Sequence, residues 1–196
     1  MKKKKKIEST FLNMTLTLFV ISAVAALSLA YVHKITEEPI RQAKEKKLKA
    51  ALSNVLPEFD QISSKKVMPP TGKDSVTVFT ATKDGKKVGT AIDTYTNKGF
   101  SGYIELMVGF DNKGDIVNTA VLQHAETPGL GTKMEASKSD FPLQFNGKNP
   151  ATFKLKVKKD GGDVDAITAA TISSRAFCDA TQRAYDVLKK EGGIAK

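Results

Sequence analysis

From Thr10 to Val32 the chain carries no charged residue, and large apolar side chains such as Phe11, Leu16, Phe19, Ile21, Leu27 and Val32 recur on every side of the run. At about 1.5 Å per residue, Phe11 to Val32 makes roughly 33 Å of helix, enough to cross a hydrocarbon core. Thr15, Thr17, Ser22 and Ser28 are compatible with this, because a helical hydroxyl can bond back to the preceding turn. The alternative is a cleaved signal peptide, for which Ser28-Leu29-Ala30 supplies a small-x-small site. Beyond the run, Glu37-Glu38-Pro39 has the form of a new helix start, with a proline in the first turn and acids near the positive end of the dipole. Ile40, Ala43, Lys47, Ala50, Ala51 and Val55 then follow at helical spacing, ending before Pro57. Polar and turn residues predict a loop from there through Pro69-Pro70-Thr71-Gly72.

The period then changes to two. Val76 to Ala81 and Val88 to Thr94 read as strands joined by the turn Lys83-Asp84-Gly85-Lys86. Tyr103 to Phe110 and Ile116 to Leu122 read as a second hairpin around Asp111-Asn112-Lys113-Gly114. Phe153 to Val157 alternates apolar and basic residues, as a half-exposed strand would. After Thr171, the positions Phe177, Ala180, Ala184, Val187 and Leu188 form one helical stripe. Thr171 or Ser173 is placed to cap that helix and Gly192-Gly193 to stop it. The expected class is α+β: a single N-terminal transmembrane helix, then one mainly antiparallel sheet domain with flanking helices. The expected boundaries are a cytoplasmic tail over 1–10, the membrane span over 11–32, a juxtamembrane helix and linker over 33–72, and the sheet domain over 73–196.

Charge sets the orientation. The chain has a net charge of +10, and Lys2 to Lys6 lie directly before the apolar run. A lysine-rich flank stays in the cytoplasm, so the large C-terminal part is expected on the extracytoplasmic side. The remaining lysines are mixed with acids, tryptophan is absent, and no basic face is interleaved with aromatics, which argues against a nucleic-acid partner. The single cysteine, Cys178, excludes an internal disulfide and any cysteine-based metal or iron–sulfur site within this chain. It reads as a small buried helix residue, with a reactive thiol as the alternative.

Two stretches carry candidate chemistry. His124-Ala125-Glu126-Thr127-Pro128-Gly129-Leu130-Gly131-Thr132-Lys133 packs an imidazole, a carboxylate, hydroxyls, glycines and a lysine into one loop. Glycines let backbone approach a flat ligand, and the polar side chains can fix its edge. His124 and Glu126 would share a face on a strand, but no third metal ligand is evident. The second stretch, Asp165-Ala166-Ile167-Thr168-Ala169-Ala170-Thr171-Ile172-Ser173-Ser174, is small-residued and hydroxyl-rich and opens the last helix. A helix entrance suits an anion, since unpaired N–H groups and the dipole both favour it. The glycines and the Gly-Lys-Ser/Thr ending of a P-loop are absent, which argues against nucleotide triphosphate hydrolysis. The plainer reading is that these hydroxyls only cap a helix.

Asp165-x-x-Thr168-Ala169-Ala170-Thr171 resembles the Asp-x-x-Ser/Thr-Gly-Ala-Thr motif of the FMN-binding domain family, with Ala169 standing where that family usually has glycine. The loop from His124 to Gly131 is similar to the family's flavin-side loop. The order of span, sheet domain and motif resembles the G-subunit branch found in Rnf-type ion-translocating electron-transport complexes. The C subunits of sodium-pumping NADH:quinone reductases are the alternative branch, and an anchored flavin-binding sensor or assembly protein without turnover is a further one. The resemblance implies covalent FMN, joined through its phosphate to Thr171 by a flavin transferase. It implies Thr168 and Ser173 near phosphate oxygens, Asp165 in recognition by the transferase or in orienting the loop, and His124, Glu126, Thr127, Gly129, Leu130, Gly131 and Lys133 around the flavin. It further implies an electron-carrying subunit without independent activity in a bacterial cytoplasmic membrane. Its partners would be other membrane subunits of the complex, with ferredoxin and NAD handled by those subunits.

Overall fold

The computed structural model describes residues 10–193, so the Lys2–Lys6 run and the tail over 1–10, apart from Thr10, lie outside the described residues. The first helix, α1, runs Phe11–Val55. It is long and apolar enough to cross a membrane, with an 18-residue window of mean hydropathy 2.1 and none of that window buried. Thr15, Thr17 and Ser28 donate to the carbonyls of Phe11, Asn13 and Val24, so these hydroxyls are satisfied within the helix. The expected helix start at Glu37-Glu38-Pro39 is corrected, because Pro39 lies inside α1. A proline there removes one donor and crowds the carbonyl four residues back, yet the helix continues on both sides of it. Glu38 does not cap; it accepts from Arg41 at 2.8 Å and from Gln42 at 2.9 Å along the continuing helix.

The chain divides into two compact units, one up to Lys46 and one from Lys47 onward. The second unit is a five-stranded antiparallel meander in sequence order. Its strands are β1 (Gln61–Val67), β2 (Val76–Lys83), β3 (Lys86–Gly99), β4 (Gly102–Phe110) and β5 (Ile116–His124). Strand β1 falls where a loop was expected. Its residues are exposed on both faces up to Val67, so it has no apolar alternation to reveal it. Conversely, Phe153 to Val157 is not a strand: only Val157 makes a bridge, to Val164, and the segment is held by turns. Its Phe153, Leu155 and Val157 serve the core from a loop. The hairpin turns follow the sequence. Asp84 and Gly85 both have positive φ, 52° and 73°, the two-residue geometry that matches strand twist. Asp111 Oδ1 accepts from the N–H groups of Lys113 and Asp115, closing the β4–β5 turn.

Helix α2 (Thr171–Lys190) lies on one face of the sheet. Its stripe of Phe177, Ala180, Ala184, Val187 and Leu188 is buried as predicted, in one core with Ile92, Ile104, Leu106, Val108 and Phe110. Gly192 and Gly193 return their N–H groups to Lys189 and Leu188 carbonyls and end the helix. The end of α1 contributes a smaller cluster, Ala51, Leu52, Val55 and Leu56 with Phe79, Ala81, Ala91 and Met107. Asp93 sits opposite Met107 in the β3–β4 register. Burial first, and then neighbouring Glu105, push its carboxyl up to about 7. On the α2 side, Thr96 Oγ1 and Lys98 Nζ both donate to Asp179, at 2.9 and 2.5 Å. These bonds tie the helix to the end of β3 that leads into the next hairpin.

Candidate functional site

Three segments meet at the start of α2. The first is the tip of the β3–β4 hairpin, where Gly99 pairs with Gly102 and Phe100 and Ser101 form the turn. The second is the loop leaving β5 at His124. The third is the turn that feeds α2. In that turn the Ala170 N–H donates to the Ile167 carbonyl at 3.0 Å, with Ala169 at φ +61°. Left-handed backbone costs a residue with a Cβ about 1–2 kcal/mol, which is the physical reason a glycine suits this position. Ser174 gathers the turn from inside the helix. Its buried Oγ accepts the Ile167 N–H at 2.9 Å and donates to the Ala170 carbonyl at 3.0 Å.

Glu126 joins the three segments. It is 5% exposed, and its Oε1 accepts the Ser101 N–H at 2.9 Å while Oε2 accepts the Ser173 hydroxyl at 2.5 Å. A carboxylate beside the first turn of a helix also meets the positive end of its dipole. The fit leaves no room for a side chain on either glycine that faces it. A Cβ on Gly99 would stand 2.7 Å from Oε1, and one on Gly131 would stand 2.5 Å from Oε2. His124 closes the loop from behind. Its Nδ1 accepts the Glu126 N–H at 3.0 Å, and its Nε2 meets Glu135 Oε1 at 2.7 Å. The bond from His124 holds the Glu135 carboxyl below its usual range.

Together these segments enclose an open cavity of about 300 Å³ lined by Phe100, Glu126, Thr127, Leu130, Gly131 and residues 169–173. Phe100, Leu130 and Ile172 are 68%, 39% and 47% exposed, so the cavity presents large apolar surface to solvent. Such surface around a concave site suits a flat apolar ligand. The other end is polar. Thr171 opens α2, and the residue before it, Ala170, provides no side-chain cap. The first-turn N–H groups therefore have neither a carbonyl behind them in the helix nor a cap in front. Among the described residues, the Thr171 hydroxyl has no hydrogen-bond partner. The expectation that Thr171 or Ser173 caps the helix is corrected: Ser173 turns to Glu126, and Thr171 is the first helical residue rather than the cap. An apolar slot ending in a free hydroxyl and unpaired N–H groups fits an aromatic ring carrying a phosphate, as in FMN.

Of the residues singled out in the sequence, Glu126, Thr127, Leu130, Gly131, Thr171 and Ser173 line this cavity. The others stand around it. Asp165 is exposed and pairs with Lys158 at 2.8 Å; its backbone N–H donates to Gln144 Oε1, and its carbonyl accepts from Gln144 Nε2. Thr168 is exposed in the turn beside Ala169. Gly129 donates to Thr132 Oγ1 at 2.9 Å, and the Lys133 carbonyl accepts the Ser139 hydroxyl at 2.5 Å. His124 is occupied on both ring nitrogens, so it is not free to touch a ligand or a metal. Among the described residues, no group of three or more His, Cys, Asp and Glu is placed to hold a metal ion. Phe100 and Ile172 were not anticipated as site residues. The signal for Phe100 was a lone large apolar residue between the glycines of a hairpin turn.

The family signature described as the FMN-binding domain matches residues 99–186, which holds all three converging segments. The chain is similar to the G subunit of the ion-translocating oxidoreductase complex of Vibrio parahaemolyticus, at 32% identity over 185 residues, 89% of this chain and 88% of the relative. It is 35% identical to the corresponding G subunit of Escherichia coli over 181 residues, 88% and 87% of the two chains. With the G subunit of Salmonella typhi it shares 45% identity over 119 residues, 59% and 58% of the two chains.

Proposed function

Because the chain belongs to the family of ion-translocating oxidoreductase complex G subunits, we propose that it is the membrane-anchored flavoprotein subunit of such a complex, carrying FMN on Thr171 and passing electrons between neighbouring subunits. The observation that carries this reading is the unengaged Thr171 hydroxyl at the polar end of an apolar slot. Thr171 Oγ would supply the ester oxygen of the link to the flavin phosphate, losing its proton as the bond from phosphorus to the group displaced in the transferase reaction breaks. The uncapped first-turn N–H groups of α2 would hold the remaining phosphate charge. Phe100, Leu130 and Ile172 would offer apolar surface to the ring, and Glu126 holds the segments that carry them together. When bound, FMN supplies the redox chemistry, while the protein contributes position and electrostatics.

The phosphoester is made by a flavin transferase that recognises the exposed Asp165–Thr168 edge of the turn. A covalent link suits a carrier on the extracytoplasmic side, where a dissociated flavin would be lost. The subunit has no turnover of its own; its donor and acceptor are other subunits of the complex. The span within α1 holds it in the bacterial cytoplasmic membrane, with the N-terminus in the cytoplasm.

The full chain co-expressed with a flavin transferase should fluoresce under ultraviolet light after denaturing electrophoresis. Thr171→Ala should give a dark band while melting within about 0.5 kcal/mol of the parent, because the Thr171 hydroxyl has no hydrogen-bond partner among the described residues. A dark band from the parent chain would sink the phosphoester. A fluorescent band from Thr171→Ala would move the attachment to another residue.

A further inference from the structure

We infer that His124 is a positioning residue for the flavin site: it does not touch the ligand, but sets the width of the slot by fixing the loop that carries Glu126. This role rests on the flavin reading above. Nδ1 of His124 accepts the Glu126 backbone N–H at 3.0 Å. A ring nitrogen that accepts carries no proton, so the proton must sit on Nε2, where Glu135 Oε1 lies 2.7 Å away to receive it. Glu135 thereby selects the tautomer, and the tautomer selects the loop conformation. A histidine with its proton on Nδ1 would set two donors against each other at Glu126.

The consequence is carried by the other half of Glu126. With its backbone fixed by His124, its carboxylate reaches the hairpin tip through Ser101 N–H and helix α2 through Ser173 Oγ. These are the two walls bearing Phe100 and Ile172. The span from Glu135 to α2 is therefore a continuous series of bonds that meets the slot at Glu126 and Ser173 and leaves His124 and Glu135 behind it. Lys47 is the cation near this series: its ammonium donates to the Leu122 carbonyl and lies close enough to act on Glu135.

Substitutions can separate the two bonds of His124. In His124→Asn, the amide oxygen takes the place of Nδ1 and can still accept the Glu126 N–H. In His124→Gln, the amide nitrogen takes the place of Nε2 and keeps only the Glu135 bond. Each variant of the full chain, purified in detergent, is read twice. Without flavin, hydrogen exchange over residues 125–131 should be about tenfold faster in His124→Ala and His124→Gln, and close to the parent in His124→Asn. With flavin attached, band fluorescence after denaturation should match the parent in all three. Fluorescence of the native protein should rise several-fold in His124→Ala and His124→Gln, as the ring loses its close walls, and be restored in His124→Asn. Glu135→Ala should behave as His124→Ala, and Glu135→Gln, which keeps an acceptor, as the parent.

Equal exchange in His124→Asn and His124→Gln would overturn the inference, as would unchanged exchange in His124→Ala. Should His124→Ala fail to fold, the Asn and Gln pair decides alone. A parent chain that carries no flavin would remove the flavin reading and leave the exchange measurement to judge His124.

Discussion

The two stretches that form the slot are organised by different means. Residues 165–174 are shaped by backbone and one buried hydroxyl: the Ile167–Ala170 turn, a left-handed Ala169, and Ser174 bonded to both ends. Residues 124–131 are shaped by ionisable side chains, with His124, Glu126 and Glu135 bonded in series. The first stretch leaves its key side chain free, and the second commits both of its ionisable ones. A group that must form a bond has to be withheld from the protein's own hydrogen bonds, whereas a group that must hold a shape has to be fully committed to them.

That contrast can be broken most forcefully at Glu126. Glu126→Ala strands a backbone donor and a buried hydroxyl, and unmade buried bonds cost about 1–3 kcal/mol each. Chemical denaturation of the full chain should show a loss of roughly 2–4 kcal/mol, and Glu126→Gln, which still accepts one of the bonds, about half that. If Glu126→Ala melted like the parent, the joining role assigned to this carboxylate would be wrong.

A carboxyl without such donors makes the complementary test. Asp93 is half-buried beside Glu105, and desolvation and that neighbour push its carboxyl up to about 7. The folded state then binds more protons than the unfolded state between the ordinary aspartate value and that point. Stability from this group is therefore complete below about pH 4 and is lost as pH rises toward 7. Asp93→Asn should flatten that slope and stabilise the chain at pH 8 by on the order of 1–3 kcal/mol. A parent whose stability rises across the same window as steeply as the variant's would contradict it. The smallest effect belongs to Ala169→Gly. Relief of the left-handed backbone outweighs the added freedom of glycine in the unfolded chain, for a net gain of about 0.5–1 kcal/mol. A loss of stability in the melt would show that the turn does not hold Ala169 in that conformation.

Much of this was legible in the sequence where a local rule and the fold agree. The turns at Asp84-Gly85 and around Gly114 announced their hairpins because they require backbone that those residues favour. The stripe on α2 was legible because one face of that helix is buried. Strand β1 was hidden because an exposed edge strand has no apolar period. Pro39 suggested a boundary because its local cost is real, but it falls inside a 45-residue helix that continues on both sides of the lost donor. Phe153 to Val157 imitated a strand because a loop laid over a core alternates in the same way. At the site, the hydroxyl stretch and the glycine loop were both visible. What could not be seen was which side chains look inward: His124 turns away from the slot and Phe100, on a different hairpin, closes it.

The lone thiol has a practical consequence. Cys178 is 2% exposed, and burial, the first cause, pushes it up to about 12. Almost none of it is thiolate at neutral pH, so it reacts slowly with maleimides or with oxidants outside the cell. The native chain is thus already a labelling blank. A cysteine placed at an exposed position such as Lys138 becomes the only reporter without any removal of the natural one. Its modification by an impermeant maleimide in intact cells would read the side of the membrane on which the flavin domain stands; protection there would reverse the proposed orientation.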